Sequence, residues 1–139
     1  MHLTISQKGQ VSLESLLIWA ALAGALALFT PAFAHLMQAY ALQEQALELK
    51  VHAQNLEVIF HELAFQAPGS SASYAWAYAA GYQFSSGSGV LELQLVHAAL
   101  ANPKQFTAHS PLPLEVSINP PFSSLIITRT AEGITIQSQ

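Results

Sequence analysis

No cysteine occurs among the 139 residues, which excludes disulfide staples, thiolate zinc sites and a cysteine nucleophile. Aspartate is also missing, so all eight acidic residues are glutamates. With no aspartate, no Gly-x-Ser-x-Gly elbow and no glycine-rich phosphate loop, the chain carries no recognisable machinery for nucleophilic or phosphoryl chemistry. Basic residues number only four, Lys8, Lys50, Lys104 and Arg129, and they are scattered along the chain. Phosphate binding needs a basic patch, so no nucleic-acid partner is expected. Asn55, Asn102 and Asn119 all stand outside Asn-x-Ser/Thr acceptor sites for N-glycosylation.

Charge is scarce overall, at 9% of residues, whereas 52% are hydrophobic and the mean hydropathy is +0.36. Such a chain is too apolar for an ordinary soluble domain and too weakly charged for a disordered one. Some apolar partner must receive its surface. The net charge is −4, and the length allows one small domain once any targeting segment is set aside.

The apolar residues are unevenly placed. From Leu16 to Ala34 only Gly24, Thr30 and Pro31 interrupt an apolar run that approaches the roughly 20 residues a helix needs to cross a bilayer. Downstream, Leu42, Ala46, Leu49, Ala53, Leu56, Phe60, Leu63 and Ala67 recur at alternating spacings of four and three. Gln43, Glu44, Glu48, Gln54, Asn55, Glu57 and Glu62 lie off that stripe, the pattern of an amphipathic helix with a narrow apolar seam. Nothing between Ala34 and Gln66 breaks a helix, so one rod from about Ser12 to Gln66 is predicted, roughly 80 Å long at 1.5 Å per residue and bent near Pro31.

Pro68-Gly69-Ser70 ends the helix, and period-two alternation follows. Tyr74, Trp76 and Tyr78 alternate with alanine, Leu91, Leu93 and Leu95 with Glu92 and Gln94, and Leu112, Leu114, Val116 and Ile118 with Pro113, Glu115 and Ser117. Three half-buried strands are the economical reading. Ser86-Gly87-Ser88-Gly89 reads as a hairpin turn. Phe122–Thr130 and Ile134–Gln137 are predicted to pair antiparallel around a short loop in which Gly133 supplies positive φ. The fold class expected is α+β, a long N-terminal hydrophobic helix followed by a small antiparallel β head. The Leu42 to Leu63 stripe is the surface available to cover the apolar face of that head.

Immediately before the apolar run stands Lys8-Gly9-Gln10-Val11-Ser12-Leu13-Glu14. Here the chain resembles the archaeal type IV pilin-like precursors, whose class III signal peptide carries Lys-Gly-Gln, any residue, Ser, any residue, Glu. The resemblance covers roughly residues 8–34. It implies cleavage by a membrane-bound prepilin peptidase between Gly9 and Gln10, with the hydrophobic helix retained. Counted from that cut, Glu14 is the fifth residue and Pro31 the twenty-second, where pilins often carry a helix-bending proline. The implied organisation is a leader over 1–9, a long helix over 10–67 with its membrane or filament-core segment at 16–34, and a β-rich head over 68–139.

The partners implied are the peptidase, the membrane, and further copies or other pilins in a helical filament. The precursor would sit in the cell membrane with its N-terminus cytoplasmic and its head outside, and the assembled subunit at the cell surface, serving adhesion or another surface task.

A carboxylate at the border of an apolar helix needs a cation, and the ammonium created at Gln10 would lie within one helical turn of Glu14. In pilins that pairing sets axial register. Ala20, Ala21, Ala23, Gly24, Ala25 and Ala27 permit close helix approach, although small residues are also common in any membrane helix.

Two simpler readings compete. Ala32-Phe33-Ala34 fits the small-x-small rule for a secretory cut that would free a protein starting at His35, but the long, weakly basic n-region and the length of the apolar segment argue against it. An uncleaved membrane anchor presenting a monomeric extracellular binding module, or a minor pilin, shares the topology of the precursor.

The six histidines assemble no motif. His61-Glu62-Leu63-Ala64-Phe65 opens like a zinc-protease helix but has phenylalanine where the second histidine belongs. His52 and His61 face different sides of the helix, and His97 and His109 lack acidic companions at ligand spacing. No metal, no cofactor and no catalytic role are expected. Tyr74, Trp76, Tyr78, Tyr82 and Phe84 could form an aromatic binding face, though alternating aromatics more often build core or a subunit interface.

Overall fold

The computed structural model describes residues 7–139, with side chains placed from residue 12 onward. A single α-helix, α1, spans Gln7–Ala64 and continues through Pro31. Its alanine- and leucine-rich sequence favours that conformation. The helix stops two residues short of the predicted Gln66. The N–H groups of Phe65 and Gln66 donate to the carbonyls of Glu62 and Leu63 at 3.3 and 3.1 Å, a tightened last turn, and Pro68 keeps Ala67 out of the helical region. Gly69 then turns the chain with a φ of 96°. Its N–H donates to the Arg129 carbonyl at 2.7 Å, and the Arg129 N–H donates to the Ser70 carbonyl at 2.8 Å. These two bonds feed the chain directly into a sheet.

Seven strands follow: β1 (Ser71–Ala75), β2 (Tyr82–Gly87), β3 (Val90–Leu95), β4 (Lys104–His109), β5 (Leu114–Ser117), β6 (Ser124–Arg129) and β7 (Ile134–Ser138). They form a four-stranded sheet in the order β1-β6-β7-β5 and a three-stranded sheet in the order β2-β3-β4. The α+β class and the β6–β7 hairpin are as predicted. Ser88 and Gly89 close the β2–β3 hairpin, with Gly89 at a φ of 78°, the conformation a tight two-residue turn asks for.

Four details of the head differ from expectation. β4 was not anticipated. Only Phe106 and Ala108 face inward along it, a signal too short to register as alternation. β5 runs parallel to β7 rather than antiparallel. Both strands start at the same end because the Ile134 N–H donates to the Pro113 carbonyl at 2.9 Å.

Gly133 is the reason that approach is possible, and it is not among the glycines with positive φ. A Cβ at Gly133 would overlap the Pro113 carbonyl, so the residue is needed for close backbone approach rather than for turn geometry.

The strand expected through Tyr78 ends at Ala75, yet the alternation persists. The N–H groups of Trp76 and Tyr78 donate to the carbonyls of Ser123 and Phe122 at 3.1 and 3.0 Å. Every second residue therefore still faces inward.

By contacts the chain divides into two units, the described residues up to Leu42 and Gln43–Gln139. Within the second, Leu49, Ala53, Leu56, Phe60 and Leu63 of α1 join Trp76, Tyr82, Leu91, Leu93, Leu95, Ala108, Phe122, Leu125, Ile127, Ile134 and Ile136 in one core. The predicted helical stripe is thus the surface that packs on both sheets. Ala67, its last predicted member, lies beyond the helix and is exposed. The buried side chains among the described residues are all hydrophobic, so the core is held mainly by apolar contact.

Candidate functional site

From Ser12 to Ala41 every residue of α1 is exposed, including Leu16, Trp19, Phe29 and Phe33. The helix is long and apolar enough to cross a membrane by length and composition, and it is compatible with membrane anchoring. Ser12 and Glu14 are both exposed within it, and no cation pairs with Glu14 among the described residues. Lys8, Gly9 and Gln10 fall within the helical backbone, but their side chains lie outside the described residues.

Around Pro31, the Thr30 hydroxyl donates to the Leu26 carbonyl at 2.7 Å. Pro31 has no N–H for the carbonyl of Ala27. One carbonyl therefore gains a second donor where its neighbour loses its only one, and the turn is loosened. A hydroxyl satisfied by its own helix can also sit in lipid without a water partner.

The second half of α1 carries an apolar face that the spacing argument did not identify. Leu47, Val51 and Val58 are each more than half exposed. At 100° per residue they cluster on the side of the helix opposite the packed stripe. Their spacings of four and seven are weaker than the uninterrupted 4-3-4-3 seam on the other side of the helix. Phe65, just past the helix end, is 91% exposed.

The aromatic residues resolve into a core cluster rather than an open face. Trp76 and Tyr82 are buried, with Phe84 and Phe122 both packed edge-on to Trp76 at centroid distances of 5.3 and 5.8 Å. His52 of α1 stacks on Trp76 at 4.4 Å. Its Nδ1 lies 2.6 Å from the Tyr74 hydroxyl, which also accepts a bond from the Asn55 amide at 3.1 Å. With that oxygen already accepting from Asn55, its proton is free to be donated to a neutral His52.

The other ring nitrogen, Nε2, is buried without a hydrogen-bond partner, because Glu48 Oε1 stands 3.8 Å away. Burial lowers the His52 pKa from 6.5, opposed in part by the Glu48 carboxylate. Burial and the same carboxylate raise the pKa of the Tyr82 phenol.

The linkage has a definite sign. The unfolded chain binds a proton at His52 more readily than the folded chain, so this contribution is complete above pH 6.5 and is lost as pH falls below it. Denaturant midpoints of the detergent-solubilised chain should therefore drop between pH 7.5 and 5, and His52→Gln should flatten that drop. Equal acid sensitivity in both proteins would remove His52 as the cause.

His61 and His97 take local roles. His61 donates from Nδ1 to the Glu57 carbonyl at 2.8 Å, and His97 Nδ1 accepts the Ala99 N–H at 3.1 Å. Among the described residues no group of three or more His, Cys, Asp or Glu side chains gathers at ligand spacing. No family model, curated protein or solved structure matches the chain.

Proposed function

We propose that the chain is a structural subunit of an archaeal type IV pilus-like surface filament. In this reading it is made as a membrane-held precursor, cut by a prepilin peptidase between Gly9 and Gln10, and assembled through its N-terminal helix with like subunits or other pilins. The observation that carries the proposal is the complete exposure of the apolar Ser12 to Ala41 stretch. Water does not tolerate that much contiguous apolar surface, so lipid or neighbouring helices must cover it. A filament core and a bilayer are both apolar, and a subunit can pass from one to the other without wetting the helix.

The Lys8-Gly9-Gln10 sequence supports the filament over a disposable signal, since cleavage there keeps the helix attached to the head. A cut after Ala34 would leave Leu36, Met37, Tyr40, Leu47 and Val51 exposed in a released protein. Mass spectrometry of the surface fraction tests the processing directly. Gln10 as the first residue supports the proposal, and His35 overturns it. An intact N-terminus with no sedimentable fibres would mark an anchored monomeric binding module instead.

A further inference from the structure

β4 is one of the two edge strands of the three-stranded sheet, and an open cleft of about 620 Å3 separates its edge from α1. The Ser110 N–H donates to the Gly89 carbonyl at 2.8 Å. Hydrogen-bonded and non-bonded pairs alternate along an antiparallel ladder, so Ala108, Phe106 and Lys104 likewise turn their N–H groups toward β3. The backbone groups of His109, Thr107 and Gln105 then point outward, toward the helix. The His109 N–H does so and donates to Glu57 Oε2 at 3.1 Å. The outward groups of Thr107 and Gln105, both lining the cleft, have no such partner among the described residues.

We propose that this cleft binds an extended peptide segment of another protein, which adds to β4 as an antiparallel fourth strand. An unpaired row of alternating backbone donors and acceptors is complemented by another extended backbone. Val58 and Phe106 line the cleft and offer apolar contact to an inward side chain of the guest.

The charges set its direction and composition. Lys50 and Glu57 also line the cleft, two helical turns or about 10 Å apart, with Glu57 held at the His109 end of β4. A guest antiparallel to β4 enters at that end. It therefore presents a basic residue first, to the free Glu57 oxygen, and an acidic residue about four positions later, about 13 Å on at 3.4 Å per residue, within reach of the long Lys50 side chain. The site lies wholly within Gln43–Gln139 and is independent of the filament reading, since an anchored monomer would present it equally.

The test uses the full chain in detergent micelles and a capped, fluorescein-labelled peptide containing Lys-Thr-Val-Thr-Glu, in which the central valine shares the inward face with the two charges. Saturable binding by anisotropy is expected. Thr107→Pro removes one outward N–H without touching the β3–β4 ladder, a position where proline is tolerated, and should weaken binding about tenfold. The charge-reversed peptide Glu-Thr-Val-Thr-Lys should bind less tightly to the unaltered protein, and Lys50→Glu should narrow that difference. Absence of saturable binding overturns the proposal, as does equal affinity for the two peptides, a comparison that stands even where Thr107→Pro impairs folding. Self-association that competes with the peptide and is lost in the proline variant would assign the cleft to a second copy of this chain, and so also overturn it.

Discussion

On the filament reading, replacing Glu14 with alanine is expected to leave the proposed cleavage before Gln10 intact while raising the critical concentration for sedimentable fibres about tenfold or more, equivalent to about 1.4 kcal/mol per subunit. An acidic residue at the centre of a membrane helix costs roughly 2.5–3.5 kcal/mol unless paired, and less toward the border. Gln10 and Glu14 are four residues apart within the helical backbone of α1, the spacing that places side chains on one face. On the same reading, cleavage would leave a free ammonium at Gln10, and the carboxylate would have a cation one turn away, in its own helix or in a neighbour's.

Apolar helices side by side have little to fix their axial stagger, because sliding one past another exchanges one set of aliphatic contacts for a similar set. A single charge pair in low dielectric is strongly distance-dependent and does fix it. Glu14→Asp should recover part of the fibre yield and Glu14→Gln little of it. Normal yield and normal fibre pitch in Glu14→Ala would dispose of the register role, while leaving the processing site to be judged separately by the mature N-terminus.

The sequence was most legible where one period dominated. Leu49, Ala53, Leu56, Phe60 and Leu63 keep their 4-3-4-3 spacing without interruption and all are buried. Leu91, Leu93 and Leu95 alternate cleanly and are buried too. The apolar run before Ala34 was equally plain. Signals failed where two patterns overlap or where packing is set by backbone contact. Leu47, Val51 and Val58 were masked by the glutamates and glutamines between them. β4 offers two inward side chains, and β5 owes its parallel pairing to the Pro113–Gly133 contact, which no periodicity encodes. His52 also lay beyond spacing arguments, since its partners Tyr74 and Trp76 are brought to it only when β1 docks beside the helix. The β4 cleft is a property of backbone groups, which every sequence has and none displays.

Phe60→Ala should destabilise the head by about 3–5 kcal/mol, the range for truncating a fully buried aromatic. Phe60 is completely buried in the core where α1 meets residues of both sheets, so the vacated volume is bounded by rigid elements on several sides and collapses poorly. A domain of this size has roughly 5–15 kcal/mol in total, and without cysteine no disulfide limits the entropy of its unfolded state. The loss should appear as a lower urea midpoint, followed by near-ultraviolet circular dichroism of the aromatic cluster around Trp76.

Val51 provides the internal comparison. It lies nine residues earlier, half a turn round the same helix, and is about half exposed. Val51→Ala should change the midpoint by no more than about 0.5 kcal/mol equivalent, while on the filament reading it removes apolar surface available to a neighbour and lowers fibre yield. Opposite responses of the two variants, stability lost at Phe60 and assembly lost at Val51, would assign separate tasks to the two apolar faces of α1. An unchanged midpoint in Phe60→Ala would instead mean that the helix is not integral to the core of the head.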